Sequence, residues 1–390
     1  MTALDDAVRA AGDRTADRIV ALSHDLHAHS EVAWEEVRSC ARVADDLADA
    51  GFTVESEFTG LPTAFAARIG TGPLHLAVCA EYDALPGLGH ACGHNVIAAI
   101  STGAAMALAP VVDDLGITLS VLGTPAEEGG GGKIEMLERG GFDGVHAAAM
   151  VHPGPVDVAR ADPYAVSHSH VRYDGKAAHA AAYPDRGVNA ADAFTIAQVA
   201  IGLLRQQLPH DVRVHGVMTN GGEAPNAIPQ RTEGRWYVRA GTLADLAGLE
   251  RRVNRCFEAG ALATGCELTI TPESKPYAEF RTDDDLLGHY VRRAEEIGRR
   301  FSTGADSLMN RASTDMGNVS QRISAIHPYI GIDSLPAVNH QLEFAAAAIT
   351  AAADRAVTDG ARALALTLLD AASEPTTRDR LLANSPGAAS

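Results

Sequence analysis

The segment AEYDALPGLGHACGHN, residues 80–95, holds the densest group of residue types that can do chemistry. Cys92 and His94 are separated by a single glycine, and a thiolate and a neutral imidazole are good ligands for zinc and similar ions. A single Cys-x-His pair is structural in most proteins, but here Asp83 lies nearby in the sequence and the glycines of the segment permit tight turns. Because the segment follows a predicted strand and leads into a predicted helix, it predicts a metal site at a strand end.

Two adjacent carboxylates, Glu127 and Glu128, follow the strand predicted at residues 117–122. Carboxylates at a strand end can divide the work, one binding a metal ion while the other moves a proton. An isolated pair is more often a charge pair at a helix N-terminus, so this interpretation depends on the other segments. A phosphate-binding loop is excluded, because Glu127 stands where its first glycine should be and Ile134 replaces the hydroxyl residue after the lysine.

Three histidines further along the chain could complete a metal site. His152 ends the strand predicted at residues 145–151, which makes this the third strand in the region to end in a ligand residue type. His327 belongs to the strand predicted at residues 323–330, and His340 lies in the segment VNHQ before the last predicted helix. From the residues alone, either His327 or His340 could close the site.

The elements around these residues predict an α/β fold. Short β-rich strands alternate with helices in the first part of the chain, which favours a mixed, largely parallel sheet with helices on both faces. From residue 166 the order becomes β-α-β-β-α-β, typical of a ferredoxin-like α+β domain. We therefore expect one domain formed by residues 1–165 and 279–390, interrupted by a second at residues 166–278, with a flexible tail at about 373–390.

The composition narrows the classes of function. With 46 % hydrophobic and 21 % charged residues, and no apolar run judged long enough to cross a bilayer, we expect a soluble protein without a membrane partner. The net charge of −18 and the lack of a Lys/Arg cluster argue against nucleic-acid binding. Five cysteines without a CxxC pair argue against a disulfide framework. The N-terminal residues do not look like a secretory signal, so we expect a cytoplasmic location.

Together these segments resemble metallopeptidase family 20, and within it subfamily D, which contains indole-acetyl-amino-acid hydrolases, p-aminobenzoyl-glutamate hydrolase and related dipeptidases. The resemblance runs from about residue 19 to residue 369. It implies a metal-dependent amidohydrolase that cuts one amide bond in a small carboxylate-bearing substrate. It also implies two divalent ions (zinc, manganese or cobalt) and a lid domain through which the protein forms a homodimer.

The resemblance also implies a role for each residue of the strand-end motifs. The implied metal ligands are Cys92, His94, Glu128, His152 and His340. Glu127 is the implied general base, which takes a proton from water and returns it to the leaving amine, and Asp83 is an orienting carboxylate. His340 is preferred over His327 because the last ligand of the family lies in a loop before the final helix. In the lid, the motif GKAAH implies that His179 binds the scissile carbonyl oxygen.

Two further lid residues and two departures complete the comparison with the family. Asn226 and Arg239 match positions that bind the substrate carboxylate or backbone, and the guanidinium fork of arginine suits a carboxylate. Asn95 stands where many relatives of the indole-acetyl type have aspartate, which favours the dipeptidase and aminobenzoyl-glutamate branch. Ser30 stands where an early proline is expected, far from the chemistry.

Two other classes of function compete with the amidohydrolase. The first is a non-catalytic metal-binding scaffold of the same fold, which the intact Glu127 and Glu128 pair argues against. The second is a cysteine hydrolase that uses Cys92 and His94. Residues two apart rarely supply a nucleophile and its base together with a third orienting group, so this class is less favoured.

Overall fold

The structure is a computed structural model that describes residues 3–384. It contains two compact units. The large unit consists of residues 3–163 and 280–384, and the inserted unit consists of Tyr164–Glu279. The sequence prediction placed the corresponding boundaries at residues 166 and 278.

The helices and strands are as follows. The helices are α1 (Ala3–Ala28), α2 (Val37–Asp49), α3 (His94–Leu108), α4 (Val112–Leu115), α5 (Gly132–Glu138), α6 (Ala190–Arg205), α7 (Leu243–Thr264), α8 (Asp284–Glu296), α9 (Met316–Ser320), α10 (Leu342–Ala347), α11 (Ala351–Ser373) and α12 (Pro375–Ala383). The strands are β1 (Thr53–Ser56), β2 (Phe65–Ile69), β3 (Leu74–Ala80), β4 (Ile117–Gly123), β5 (Ala147–Ala149), β6 (His152–Gly154), β7 (Ala165–Asp174), β8 (Arg213–Asn220), β9 (Arg231–Ala240), β10 (Glu267–Pro272), β11 (Ser324–Ile326) and β12 (Tyr329–Gly331). Short 3-10 helices cover Phe58–Gly60, Ala109–Val111, Pro184–Arg186 and Ala305–Arg311.

The main sheet of the large unit has the strand order β1-β2-β4-β3-β5-β11. Strands β4, β3, β5 and β11 pair in parallel, while β2 pairs antiparallel with β4 and with the edge strand β1. Alternate residues of β3 pack into different hydrophobic clusters, Leu76 with helices α1, α3 and α11, and Ala77 with residues of α5 and α9. Because successive side chains of a strand point to opposite faces, helices cover both faces of the sheet, and the predicted α/β class is confirmed.

The two strands predicted at residues 145–151 and 323–330 are each broken into two. Strand β5 ends at Ala149 and β6 begins at His152, while β11 and β12 are separated by His327 and Pro328. Pro328 has no backbone N–H to donate, so the parallel ladder is interrupted there, and the N–H of His152 donates to the Pro328 carbonyl at 2.9 Å. The prediction that His152 ends a strand is therefore wrong, since His152 begins β6 opposite Tyr329.

One helix segment, His94–Leu115, is long and apolar enough to cross a membrane by length and composition, with a mean hydropathy of 1.7. This corrects the expectation that the sequence has no such run. Within the protein, 89 % of the most apolar 18-residue window of that stretch is buried. It lies in the hydrophobic core beside α1 and α11, and that burial accounts for its apolar composition.

The C-terminal segment differs from the predicted flexible tail. Residues 375–383 form helix α12, whose Leu381 is completely buried. The guanidinium of Arg378 donates to the carbonyl oxygens of Leu115 and Gly116, which fixes the helix to the large unit. Residues 385–390 of the predicted tail lie outside the described residues.

The inserted unit has the chain order β7-α6-β8-β9-α7-β10. Its antiparallel sheet has the strand order β10-β7-β9-β8. Phe194 of α6 and Phe257 of α7 pack with Trp236 of β9 in one hydrophobic core. The predicted ferredoxin-like unit is confirmed.

Candidate metal centre

The predicted site residues of the large unit follow the ends of neighbouring parallel strands. Asp83 follows β3, and Glu127 and Glu128 follow β4, which pairs with β3 in parallel. The carboxyl ends of these two strands lie at the same edge of the sheet, where open α/β sheets place their functional crevice. His94 begins α3, directly after the loop that follows β3. The loops at one sheet edge thus bring together residues that lie far apart in sequence.

Gly93 makes the close spacing of Cys92 and His94 possible. Its φ of 83° lies in the left-handed region, and a Cβ at this position would lie 2.5 Å from Cγ of Pro153. Without a side chain here, the start of α3 packs against the strand that begins at His152. As a result, Sγ of Cys92 lies 3.6 Å from Nε2 of His152.

His94 has the ring orientation of a metal ligand. Its Nδ1 lies 3.0 Å from Oδ1 of Asp83, and both side chains are buried. Nδ1–H donates to this carboxylate, which leaves Nε2 as the nitrogen that can bind a metal ion, the usual arrangement of a ligand histidine. Burial lowers the pKa of His94, but Asp83 and Cys92 outweigh burial and raise that pKa well above its ordinary value, so metal binding would release a proton from Nε2. Nε2 makes no hydrogen bond with any described residue, yet it lies 3.5 Å, 3.8 Å and 3.9 Å from carboxylate oxygens of Glu81, Glu127 and Glu128.

His152 is oriented in the same way by the backbone. Its Nδ1 lies 2.7 Å from the carbonyl oxygen of Pro153, so Nδ1–H donates to that carbonyl and Nε2 is left as the acceptor that faces Cys92. Burial, together with the neighbouring histidine His327, lowers the pKa of His152 well below its ordinary value. A neutral imidazole is the form that binds metal.

His340 reaches the same group from the loop before α10. Its backbone N–H donates to the carbonyl of Ala91 at 2.8 Å, and its Nε2 lies 3.5 Å from Oε1 of Glu128. Hydrogen bonds, chiefly with Cys92 and then with Glu128, raise the pKa of His340 to about 11. Cys92, Glu128 and His340 are also one of the groups that could hold a divalent ion, and an ion bound there would displace the proton of His340.

His327 is placed differently. It is buried in the break between β11 and β12, where its ring centroid lies 5.5 Å from that of His152. Burial lowers its pKa to about 4. Among the close groups of possible ligand atoms in the described chain, His340 takes part and His327 does not.

The donor atoms fit divalent ions in three overlapping groups, within each of which the atoms lie less than 4.8 Å apart. The groups are Cys92 with His94 and His152, Cys92 with Glu128 and His340, and Glu81 with His94 and Glu127. In a tetrahedral site, bond lengths of about 2.0–2.3 Å place two ligand atoms about 3.4–3.6 Å apart, which matches the closest pairs described above. Nε2 of His94 is buried without a hydrogen bond, as a metal ligand would be. The mixture of thiolate, imidazole and carboxylate suits zinc, manganese or cobalt.

The two adjacent carboxylates differ in their affinity for a proton. Burial, and then the charges of Glu81 and Glu128, raise the pKa of Glu127 well above its ordinary value. Burial acts on Glu128 in the same direction, but its hydrogen bond with His340 and the charge of His94 outweigh it and lower the pKa of Glu128. One carboxylate of the pair is thus suited to holding a proton and the other to remaining charged.

The sequence interpretation missed a group of buried charges beside this centre. Nζ of Lys133 lies 2.5 Å from Oε1 of Glu81 and 2.8 Å from Oδ1 of Asp315, and all three side chains are buried. Lys133 was considered only as part of a phosphate loop. Glu81 carried a usable signal, because it lies two residues before Asp83 and therefore on the same side of an extended chain.

Glu36 is a second buried carboxylate that the sequence did not single out. Its Oε1 accepts a hydrogen bond from the backbone N–H of Ala126 at 2.8 Å. Ala126 has a φ of 56°, which is unfavourable for a residue with a side chain, and this contact helps to hold the turn before Glu127. Burial and the charge of Asp83 raise the pKa of Glu36 to about 7.

The predicted lid residues lie in the inserted unit. The motif GKAAH, residues 175–179, pairs with the segment that holds Asn226, residues 224–229, since the N–H of Ile228 donates to the carbonyl of Ala178 at 3.0 Å. Nδ1 of His179 accepts from the backbone N–H groups of Ala181 and Ala182, so the ring proton is on Nε2, and the side chain is exposed. Arg239 lies on β9, where its Nε is 3.3 Å from Nε2 of His215.

The chain is similar to known proteins over most of its length. The model of Peptidase family M20/M25/M40 matches residues 77–368. A mouse Xaa-Arg dipeptidase is 39 % identical over 93 % of this chain and 88 % of its own length. A subunit of the p-aminobenzoyl-glutamate hydrolase of Escherichia coli is 33 % identical over 67 % of this chain and 58 % of its own length. The chain has the same fold as a dinuclear metal-binding peptidase from Bacillus subtilis, with a TM-score of 0.67 and 21 % sequence identity. The match covers 92 % of this chain and 99 % of the Bacillus chain.

Proposed function

The chain belongs to peptidase family M20/M25/M40, a family of hydrolases that act on amide bonds, and we propose that it uses two divalent ions to cleave one amide bond in a small carboxylate-bearing substrate. The resemblance seen in the sequence is confirmed by the family match. Among the substrates considered, a dipeptide is favoured, because the mouse relative at 39 % identity is an Xaa-Arg dipeptidase. An N-acyl amino acid and an aminobenzoyl-glutamate-like amide are the other candidates.

The observation that carries the proposal is the orientation of the buried His94. Asp83 holds its Nδ1–H, and its Nε2 faces carboxylates with no hydrogen bond of its own among the described residues. Such a nitrogen costs free energy unless a cation binds it. The proposed ligands of the two ions are Cys92, His94, Glu128, His152 and His340, with zinc, manganese or cobalt as the ion. When bound, two such ions lower the pKa of a water ligand and polarise a carbonyl group.

Glu127 is the proposed general base. Its Oε2 lies 3.8 Å from Nε2 of His94, and its raised pKa suits a group that must take up a proton and release it again. Glu127 would take the proton from the attacking water and return it to the nitrogen of the leaving amine. Cys92 acts as a ligand in this scheme and forms no covalent bond with the substrate.

The inserted unit is proposed to bind the substrate. His179 has its ring proton on Nε2, where it could donate to the scissile carbonyl oxygen as negative charge develops there. Asn226 and Arg239 are proposed to bind the substrate carboxylate or backbone, and the Arg239 guanidinium is the group whose fork matches a carboxylate. These roles rest on the motif matches.

The inserted unit also offers a surface for the proposed homodimer. Val199 and Leu203 on α6 are 59 % and 58 % exposed, and Val217 on the edge strand β8 is 58 % exposed. Exposed apolar side chains beside an open strand edge are a common basis for association of two chains. The proposed location of the protein is the cytoplasm.

The experiment that tests the proposed function is a substrate panel on the metal-loaded protein. It should include an Xaa-Arg dipeptide, an N-acetyl amino acid and p-aminobenzoyl-glutamate, with ninhydrin or chromatographic detection of the released amine. EDTA should abolish turnover and added metal should restore it. Activity that survives EDTA but not thiol alkylation would favour the cysteine hydrolase, and full metal binding without turnover on any substrate would favour the non-catalytic scaffold.

A further inference from the structure

Glu81 belongs to a buried row of charged groups beside the proposed ligands. Its Oε1 accepts a hydrogen bond from Nζ of Lys133 at 2.5 Å, and the same ammonium donates to Oδ1 of Asp315 at 2.8 Å. The backbone N–H of Lys133 donates to the other oxygen of Asp315 at 2.8 Å. Each of the three side chains is 0 % exposed. The Glu81 carboxylate is therefore held in one orientation by a partner that is itself held at two points.

The second oxygen of Glu81 faces His94. This atom, Oε2, makes no hydrogen bond within the described part of the chain although it is fully buried, and it lies 3.5 Å from Nε2 of His94. Nε2 of His94, the ring nitrogen that does not contact Asp83, likewise makes no hydrogen bond there. Two buried polar atoms at this separation, neither of them hydrogen-bonded, are stabilised when a cation, either a proton or a metal ion, lies between them. The separation is the one expected for two ligands of one ion, about 3.4 Å.

The charges of the row lead to the same conclusion. Lys133 supplies one positive charge to two carboxylates, Glu81 and Asp315. Carboxylate oxygens of Glu127 and Glu128 lie 3.8 Å and 3.9 Å from the same Nε2 of His94 that Glu81 faces. Buried carboxylates in excess of their cations are stable only when protonated or when a further cation is bound. An ion that binds His94 and Glu81 together supplies that charge.

We propose that Glu81 is a further metal ligand, which binds through Oε2 the same ion as His94, and that Lys133 and Asp315 position it. The inference rests on the proposed function, because it adds a ligand to the two-ion site. It also gives Glu127 and Glu81 separate roles. With the Glu81 carboxylate bound to the ion at His94, Glu127 remains available for proton transfer. A purely structural alternative exists, in which Glu81 only balances the charge of Lys133.

The test is metal binding by the variant Glu81→Gln. The amide oxygen can still accept from Lys133, and the ion pair of Lys133 with Asp315 remains, so the fold should be retained. Bound metal per chain is measured by elemental analysis after equilibration with zinc at buffered free concentrations. We expect the unmodified protein to bind two ions. In the variant, the affinity for one of these ions should fall by about 100-fold or more, because losing a ligand should cost at least as much as losing a residue that only orients a ligand. Glu135→Gln, on the same helix as Lys133 but paired with the surface residue Arg139, should bind both ions normally.

A second pair of variants separates a ligand from a structural charge. Glu81→Asp keeps the charge beside Lys133 but withdraws the carboxylate by one methylene. If Glu81 is a ligand, one ion should bind more weakly in this variant; if its role is only structural, the affinity for both ions should be unchanged. Asp315→Asn should weaken the same ion by about 10–100-fold through misplacement of Lys133 and Glu81. With cobalt in place of zinc, the charge-transfer band of Cys92 should persist in Glu81→Asp while the d–d bands change.

The possible outcomes are distinct. If Glu81→Gln or Glu81→Asp binds two ions with unchanged affinity, the inference is overturned and the proposed function stands. If the unmodified protein binds no divalent ion, both are overturned. Selective loss of one ion in the Glu81 variants, with normal binding in Glu135→Gln, supports the assignment.

Discussion

Asp83 connects two of the proposed ligands through its two carboxylate oxygens, of which Oδ1 lies 3.0 Å from Nδ1 of His94. The other oxygen, Oδ2, accepts the backbone N–H of Glu128 at 2.9 Å. Burial alone would raise the pKa of Asp83, but the charge of His94 and the hydrogen bond with it outweigh burial and lower that pKa. Asp83 therefore stays charged and fixes both the tautomer of His94 and the position of the loop after β4.

The first prediction concerns this double contact. In Asp83→Asn one of the two polar atoms becomes a donor, so the side chain can no longer accept from both His94 and Glu128. We expect metal affinity to fall by about 10–100-fold, as when other orienting partners of ligands are lost. Competition with a chelating dye measures this affinity. Asp46→Asn, a buried aspartate of α2 that pairs with Arg18 and Arg42, is the matched control, and an equal loss in both variants would contradict the assignment.

The second prediction concerns Lys133. Replacing it by methionine leaves Glu81 and Asp315 buried beside each other without their shared ammonium. Removing one partner of a buried ion pair typically costs about 3–5 kcal/mol, so Lys133→Met should lower the free energy of unfolding by that amount. Urea denaturation of the metal-free proteins measures it. The control is Lys176→Met at an exposed position, which should change the free energy of unfolding by less than about 0.5 kcal/mol. A similarly small change for Lys133→Met would contradict the prediction that Glu81 and Asp315 depend on the Lys133 ammonium.

The parts of this site that could be predicted from sequence are those that lie at predicted strand ends. Asp83, Glu127 and Glu128 directly follow short, β-rich segments, and parallel strands bring such residues to one edge whatever the details of packing. The order of elements likewise sufficed for the ferredoxin-like unit, because local patterns define each strand and helix. These predictions needed no knowledge of which distant residues meet.

The parts that could not be predicted depend on contacts between distant segments. Lys133 and Asp315 are 182 residues apart, and no spacing rule connects them. The break before His152 depends on Pro328, which lies between the paired strands β11 and β12, so it appears only once those partners are known. Asn95 was interpreted by comparison with aspartate, but its side-chain amide donates to Ser23 and so contacts α1.

The third prediction concerns the effect of pH on stability. Burial, with smaller effects from Arg68 and His146, lowers the pKa of His75 from its ordinary 6.5 to about 4, and its Nε2 lies 2.7 Å from Oγ of Ser120. The unfolded chain therefore binds a proton on His75 below pH 6.5, while the folded protein does so only near pH 4. The contribution of neutral His75 to stability is complete above pH 6.5 and is lost as the pH falls toward 4, about 3 kcal/mol in all.

Comparison with His75→Gln isolates this contribution, because glutamine can hydrogen-bond but does not titrate. Between pH 7 and pH 4.5 the unmodified protein should lose about 2–3 kcal/mol more of its free energy of unfolding than the variant does. Urea denaturation at a series of pH values measures the difference. Parallel pH profiles of the two proteins would contradict the prediction.

The fourth prediction concerns His179 of the inserted unit. Because Nδ1 already accepts two backbone N–H groups, Nε2–H is the group available to donate to a carbonyl oxygen. His179→Ala should reduce turnover by about 10²–10³, the usual effect of losing an oxyanion donor, while the metal content stays normal. His210→Ala, another exposed histidine of the same unit, is the control. Turnover within about twofold of the unmodified protein would remove His179 from the site.

The last prediction separates Glu127 from Glu128. Burial and the neighbouring charges of Glu81 and Glu128 give Glu127 a raised pKa, while the hydrogen bond with His340 outweighs burial and keeps Glu128 charged. Glutamine preserves the size of each side chain, but it cannot accept the proton of water and it lacks the negative charge with which a carboxylate binds a metal ion. Glu127→Gln should retain two ions and lose about 10²–10⁴ in kcat, which corresponds to roughly 3–5 kcal/mol of barrier. Glu128→Gln should instead lose bound metal, and its remaining activity should rise with added metal. Metal stoichiometry and kcat measured on both variants decide the matter, since loss of metal from Glu127→Gln with retention in Glu128→Gln would mean that the two roles are reversed.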